Sequence, residues 1–266
     1  MTLEEDRIFD ERTGKMDVLV ACGTGVVRVA ASERRVGRFG MAHPCTARGV
    51  ATAGGRVAVA TDEDVLRDEF ERTGFGPAAA VGFTAGGLVA GDGGGRVARL
   101  ADDGGAWEEV GTVGAVRAID GSLVAAGDGV YRVDDGDSDV GVDYAGLDDV
   151  RDVSGHGVPL AATGDGLYAL GNGWMDELPG AFDAVSVGAS GRAAAAGDGG
   201  VFVREAGGSE WTESDLPLDE RVVALTHEQS TTVAVTDEGT LLLRGEGDEW
   251  WTQPLGLRDV AGVAVR

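Results

Sequence analysis

The residues able to act chemically on another molecule are few in this chain. Arg48, Arg117 and Arg151 each take the second place of a short apolar run, Ala47-Arg48-Gly49-Val50, Val116-Arg117-Ala118-Ile119 and Val150-Arg151-Asp152-Val153, and Arg221 and Arg258 stand just before two more such runs. A planar guanidinium pairs with carboxylate or phosphate through parallel N–H donors, so arginines converging on one place would hold a small anionic ligand. The competing demand is neutralisation of the aspartates nearby. His43 and Cys45 add an imidazole suited to acid or base work and a thiol. Two such groups fall short of the three or four protein ligands that zinc needs, so neither a metal nor another cofactor is expected.

Other candidates have structural readings. Aspartates at 62, 92, 128, 165, 198 and 237 recur in tight Gly-Asp turns, where Asp is favoured for bonding nearby backbone. The acidic run Asp134 to Asp139 has calcium-loop spacing from Asp135, but Val140 replaces the loop glycine and Gly146 the bidentate glutamate. Tyr131, Tyr144 and Tyr168 lie in strand segments away from the arginines. His156 and His227 belong with the far ends of the apolar runs, so the three histidines do not converge. No GxSxG, HExxH, phosphate-loop or dinucleotide-binding context occurs. No catalytic residue is assigned.

Composition narrows the partners. The formal charge of −24 opposes docking on a phosphate backbone or an anionic membrane. Of 22 basic residues only Lys15 is lysine, a surface suited to a salt-rich cytoplasm where screening suppresses self-repulsion. No apolar run reaches membrane-spanning length, and the acidic start lacks the basic-then-apolar order of a secretory signal, so a soluble cytoplasmic protein is expected. Cys22 and Cys45 make no disulfide framework. Residues 1–15 read as an acidic arm and 16–266 as one domain.

The elements that must position these residues repeat. An apolar-then-turn core occurs seven times: VLVACGTGVVRV, VAVATDEDVLRD, LVAGDGGGRVARL, LVAAGDGVYRV, LAATGDGLYAL, AAAAGDGGVFVR and VAVTDEGTLLLR, at intervals of 30 to 39 residues. Each has an apolar lead-in, and four are followed by a Gly-rich segment ending in tryptophan. Short β-prone runs around Gly-Asp turns are hairpins. One period therefore supplies four antiparallel strands, and seven periods form an all-β, seven-bladed β-propeller. The first repeat lacks a lead-in and the chain finishes with a surplus one. Residues 258–265 should thus pair beside 17–22, complete the first blade and close the ring. Aligned lead-ins place Gly49, Ala80, Ala118, Asp152, Ser186, Ala224 and Gly262 at one position, small in all but Asp152, as crowding at an axis requires.

The acidic start, the DVLVACGTGVVRV opening, the RVGRFGMAHPCTARGVA segment and the blades that follow resemble the uncharacterised β-propeller proteins of extremely halophilic archaea, over essentially the whole chain. That resemblance implies a fold and carries no assigned activity. Segments such as Asp103, Gly105 and Trp107 are also similar to the Asp-box of sialidase-type propellers, with shorter spacing and without its Ser and Thr. The expected function is a non-catalytic scaffold that presents one face to a protein partner, since about 36 residues per blade leave little chain for site-building loops. The alternative is binding or hydrolysis of a small anionic ligand at the channel mouth by Arg48, Arg117, Arg151 and Arg258, with His43 and Cys45 beside them.

Overall fold

Twenty-eight strands build seven four-stranded antiparallel sheets in the computed structural model, which describes residues 15–33, 35–101, 105–134, 141–247 and 249–266. Six blades are contiguous in sequence. In the fourth, Val116–Asp120, Leu123–Ala126, Gly129–Asp134 and Gly141–Gly146 run from the axis to the rim. The inner strands of the second, third, fifth, sixth and seventh blades are Ala47–Ala53, Ala80–Thr84, Val150–Ser154, Phe182–Val187 and Val222–Glu228. All of them fall on the apolar lead-ins.

The first blade is made from both ends of the described chain. Gly262–Val265 pairs with Met16–Cys22 in the register Val18↔Val265 to Ala21↔Gly262, followed outward by Gly25–Ser32 and Arg35–Pro44. The regular ladder is shorter than the expected 258–265 because Asp259 adopts φ 53°. Residues 258–261 still follow the blade, with Gly23 N–H donating to Arg258 C=O and Ala261 N–H to Ala21 C=O.

Alternation within each strand decides where the core sits. Side chains on one face of a blade pack against the opposing face of the next. Val18, Val20, Val27 and Val29 of the first blade join Val233, Val235, Leu241 and Leu243 of the seventh. The hydrophobic clusters thus lie between blades and bind the ring. At the axis the small positions lie close together, and a Cβ on Gly262 would stand in ordinary van der Waals contact, 3.6 Å from Gly49 Cα. At the Gly127-Asp128-Gly129 turn, Gly129 has φ 146°, and a Cβ there would stand 2.5 Å from the Tyr144 ring. Residues 1–14 of the acidic arm, Asp135 to Asp139 and Asp103 lie outside the described residues.

Candidate functional site

The inner strands enclose an axial channel of about 860 Å³ whose wall includes Arg48, Arg117 and Arg151. Two of these arginines reach the next blade. Arg117 Nη1 donates to Asp149 Oδ1 at 2.7 Å and to Val150 C=O at 3.1 Å. Arg151 Nη1 donates to Asp183 Oδ1 at 2.8 Å, and its Nη2 lies 3.7 Å from Asp149 Oδ2. The hydrogen bond from Arg117, ahead of the charges of Arg117 and Arg151, holds the Asp149 carboxyl below the usual carboxylate range. Arg221 repeats the theme at 3.7 Å from Asp183 and 3.8 Å from Asp198. Arg48 is exposed and makes no ion pair among the described residues.

The other sequence candidates stand apart from this wall. Arg258 is exposed and is not on the channel lining. His43 stacks on Phe70 with ring centroids 4.8 Å apart. Cys45 packs beside the cluster shared by the first and second blades. Burial, then the charges of Asp62, Cys22 and Glu63, push its thiol pKa up, away from a reactive thiolate. Among the described residues no three His, Cys, Asp or Glu side chains form a metal-holding group. The turn aspartates brace structure: Asp92 Oδ1 accepts from Gly94 and Arg96 N–H, while Asp128 accepts from Gly114 N–H and Tyr131 Oη–H.

Part of the channel lining is polar, and composition did not reveal it. Asp120 Oδ2 accepts from Gly155 N–H at 2.7 Å and Ser154 Oγ–H at 3.2 Å, with His156 Nδ1 at 3.4 Å. Ser154 Oγ in turn accepts from Val187 N–H, and Asp152 accepts from Val153 and Val185 N–H. Apart from the local bond from Val153, these bonds link one blade's inner strand to the next, so they also stitch the ring. Burial pushes the Asp152 carboxyl up to about 7, and neighbouring Asp120 adds to the rise. Burial acts on Asp120 too, but hydrogen bonds from His156, Gly155 and Ser154 outweigh it and leave that carboxyl below its ordinary value. The channel lining also includes Val50, Val81, Phe83, Ile119 and Val263.

One hydroxyl–imidazole pair lies at the polar wall. Ser186 Oγ is 2.9 Å from His227 Nδ1, and Thr232 Oγ1 is 3.0 Å from Nε2. A base that activates serine needs a group that stabilises the imidazolium. Here burial, then Arg192 and Arg244, press the His227 pKa down to about 4 against a weaker pull from Glu205. The pair is built to keep the imidazole neutral.

At the rim, the recurrent tryptophans each donate an indole N–H to the preceding blade. Trp107 bonds Thr73 C=O at 3.2 Å, Trp174 bonds Ala145 C=O at 2.8 Å, Trp211 bonds Glu177 Oε2 at 2.7 Å and Trp250 bonds Ser214 Oγ at 2.9 Å. The sequence showed the recurrence without the partner. Each partner lies 29 to 36 residues back, about one blade.

Several solved propellers share this architecture at low sequence identity. The RRP9 WD40 repeats superpose with a TM-score of 0.64 at 10% identity, covering 92% of this chain and 88% of that one. A chain of the nidogen/laminin complex gives 0.60 at 10% identity, with 94% and 98% covered. YCF48 bound to D1 peptide gives 0.58 at 13% identity, with 79% and 82% covered. No curated protein sequence matches the chain. A family described as HVO_0234-like β-propeller matches residues 2–266. With the fold and the full-length match in agreement, the chain belongs to the HVO_0234-like β-propeller family.

Proposed function

We propose that this protein is a non-catalytic interaction scaffold that holds a protein partner in a salt-rich cytoplasm. The observation that carries the reading is the use made of its reactive groups. Arg117 and Arg151 are bound to aspartates of the next blade, and the Ser186–His227 pair faces two arginines that disfavour its protonation. What the fold leaves available is a closed surface with exposed apolar side chains at the rim. Similar propellers are solved in a nidogen/laminin complex and with a bound D1 peptide, which supports partner binding as a use of this architecture. The net charge of −24 weighs against nucleic acid and anionic membranes as partners.

A second reading rests on Arg48, which lines the channel without an ion pair among the described residues. In it Arg48, with Arg117 and Arg151 at the same mouth, holds a small carboxylate or phosphate. Affinity capture from the native lysate in molar salt separates the two. The scaffold reading expects a near-stoichiometric protein that is retained by an Arg48→Ala variant. The ligand reading expects calorimetric binding of phosphate or a small carboxylate that Arg48→Ala abolishes.

A further inference from the structure

Asn172 is the only asparagine in the chain, and a glycine follows it. It stands in the middle of Gly171-Asn172-Gly173, the turn between the third and fourth strands of the fifth blade, Gly166–Leu170 and Trp174–Pro179. Leu170 pairs with Trp174, so these three residues make up the whole loop, and all three are exposed. A side-chain amide followed by glycine meets the next peptide nitrogen with the least steric hindrance, because glycine has no Cβ to shield that nitrogen.

The loop leaves both reacting groups free. Gly171 N–H donates to Gly173 C=O at 2.9 Å and closes the turn. Among the described residues Gly173 N–H donates no hydrogen bond, and the Asn172 side chain makes none. Gly173 has φ 142°, and a Cβ built there would meet nothing within 4 Å. Attack of the Gly173 nitrogen on Asn172 Cγ closes a small ring within one dipeptide, so the two groups meet at high effective concentration. No packing and no hydrogen bond has to be broken first.

The other turns are built differently. Asp92-Gly93, Asp128-Gly129, Asp165-Gly166 and Asp198-Gly199 place an acid before the glycine. An ionised carboxylate repels a nucleophile and offers no leaving group comparable to ammonia. Three of these acids are also held in place. Asp92 Oδ1 accepts from Gly94 and Arg96 N–H, and Asp128 accepts from Gly114 N–H and Tyr131 Oη–H. Asp165 Oδ1 accepts from Thr163 Oγ1–H at 2.7 Å and Tyr168 Oη–H at 3.3 Å. Asn172 has neither the charge nor the anchoring.

We propose that Asn172 is a site of spontaneous covalent modification, deamidating through a cyclic imide formed with Gly173. Solvent base takes the Gly173 amide proton and the nitrogen attacks Asn172 Cγ. The N–Cγ bond forms, the Cγ–Nδ2 bond breaks, and the proton returns to Nδ2, which leaves as ammonia. Water then opens the imide at either carbonyl to give aspartate or isoaspartate, and nothing is oxidised or reduced. Either product adds a negative charge to the rim of a blade whose outer strand already carries Asp176 and Glu177. Isoaspartate also routes the main chain through Cβ. That lengthens the loop next to Trp174, whose indole N–H holds Ala145 C=O of the fourth blade at 2.8 Å. The inference goes beyond the interaction reading and does not depend on it.

The test incubates the folded full chain in molar salt at neutral and at mildly alkaline pH, with peptide mapping by mass spectrometry and an ammonia assay. The peptide that holds Asn172 should gain about 1 Da, faster at the higher pH, and should split into two separable products, aspartate and isoaspartate. Asn172→Gln must close a larger ring and should cut ammonia release about tenfold or more. The inference is overturned if the peptide stays unchanged in the folded chain, whether or not it converts in urea. Aspartate as the sole product would replace the imide by direct hydrolysis and overturn it too. Undiminished ammonia release from Asn172→Gln would assign the reaction to Gln229 or Gln253, with the same consequence.

Discussion

Replacing Asp152 by Asn isolates the one large residue among the small inner-strand positions. In the fold its carboxyl is pushed up to about 7, against 3.8 unperturbed. A raised carboxyl pKa means that the native state binds the proton more tightly than the unfolded chain. Stability from this group is therefore fully present below the unfolded value and is lost as pH rises toward 7. A full shift of this size corresponds to about 4 kcal/mol. Screening along a channel wall in molar salt reduces that, so roughly 2 kcal/mol is expected. Asn cannot ionise, so the gap between the variant and the unmodified protein should move in the variant's favour by that amount between about pH 4 and about pH 8. Urea unfolding of both proteins across that range measures it, and the loss of one of the two backbone hydrogen bonds at Asn enters only as a constant offset. A gap independent of pH would refute the assignment of a half-buried, proton-holding Asp152.

Further outcomes follow from the same contacts. His227, held down to about 4 from 6.5, contributes stability that is present above about pH 6.5 and falls as acid protonates it; His227→Gln should flatten the acid limb of the unfolding curve. Trp211→Phe removes the indole donor from Glu177 and should cost about 1.5–3 kcal/mol, whereas Trp174→Phe, which loses a neutral bond to Ala145, should cost about 1 kcal/mol by denaturant midpoint. Arg117→Ala should cost less than about 1 kcal/mol, because that pair is half-exposed and screened, and it should leave partner capture intact. Truncation before Gly262 removes Val263 and Val265 with the ladder to Met16–Cys22. That loss should approach about 5 kcal/mol and lower the melting temperature steeply. Transfer of the unmodified protein from molar to low salt should destabilise it through the unscreened charge of −24.

The blades were legible because their signal is local and repeated. Apolar lead-ins such as Val116–Asp120 and turns such as Gly127-Asp128-Gly129 specify strands and hairpins within a dozen residues. The exception among the inner positions, Asp152, was visible as a residue type, but its partner Val185 N–H belongs to the next blade. The same limit governs the arginines. Asp149 and Asp183 each stand 32 residues after their arginines, and a comparison offset by one blade exposes both pairs. Alignment of the arginines with one another, position by position, suggests convergence on a ligand instead. The chemistry of the polar wall depends on the closed ring, because Asp120 meets Ser154 and Ser186 meets His227 only across neighbouring blades.

Hydrogen exchange of the full chain, alone and with its captured partner in molar salt, asks where recognition takes place. Partner recognition at the rim predicts slowed exchange in outer strands, with the inner strands unchanged. Protection confined to Ala47–Ala53, Val116–Asp120 and Val150–Ser154 would contradict it and place recognition in the axial channel.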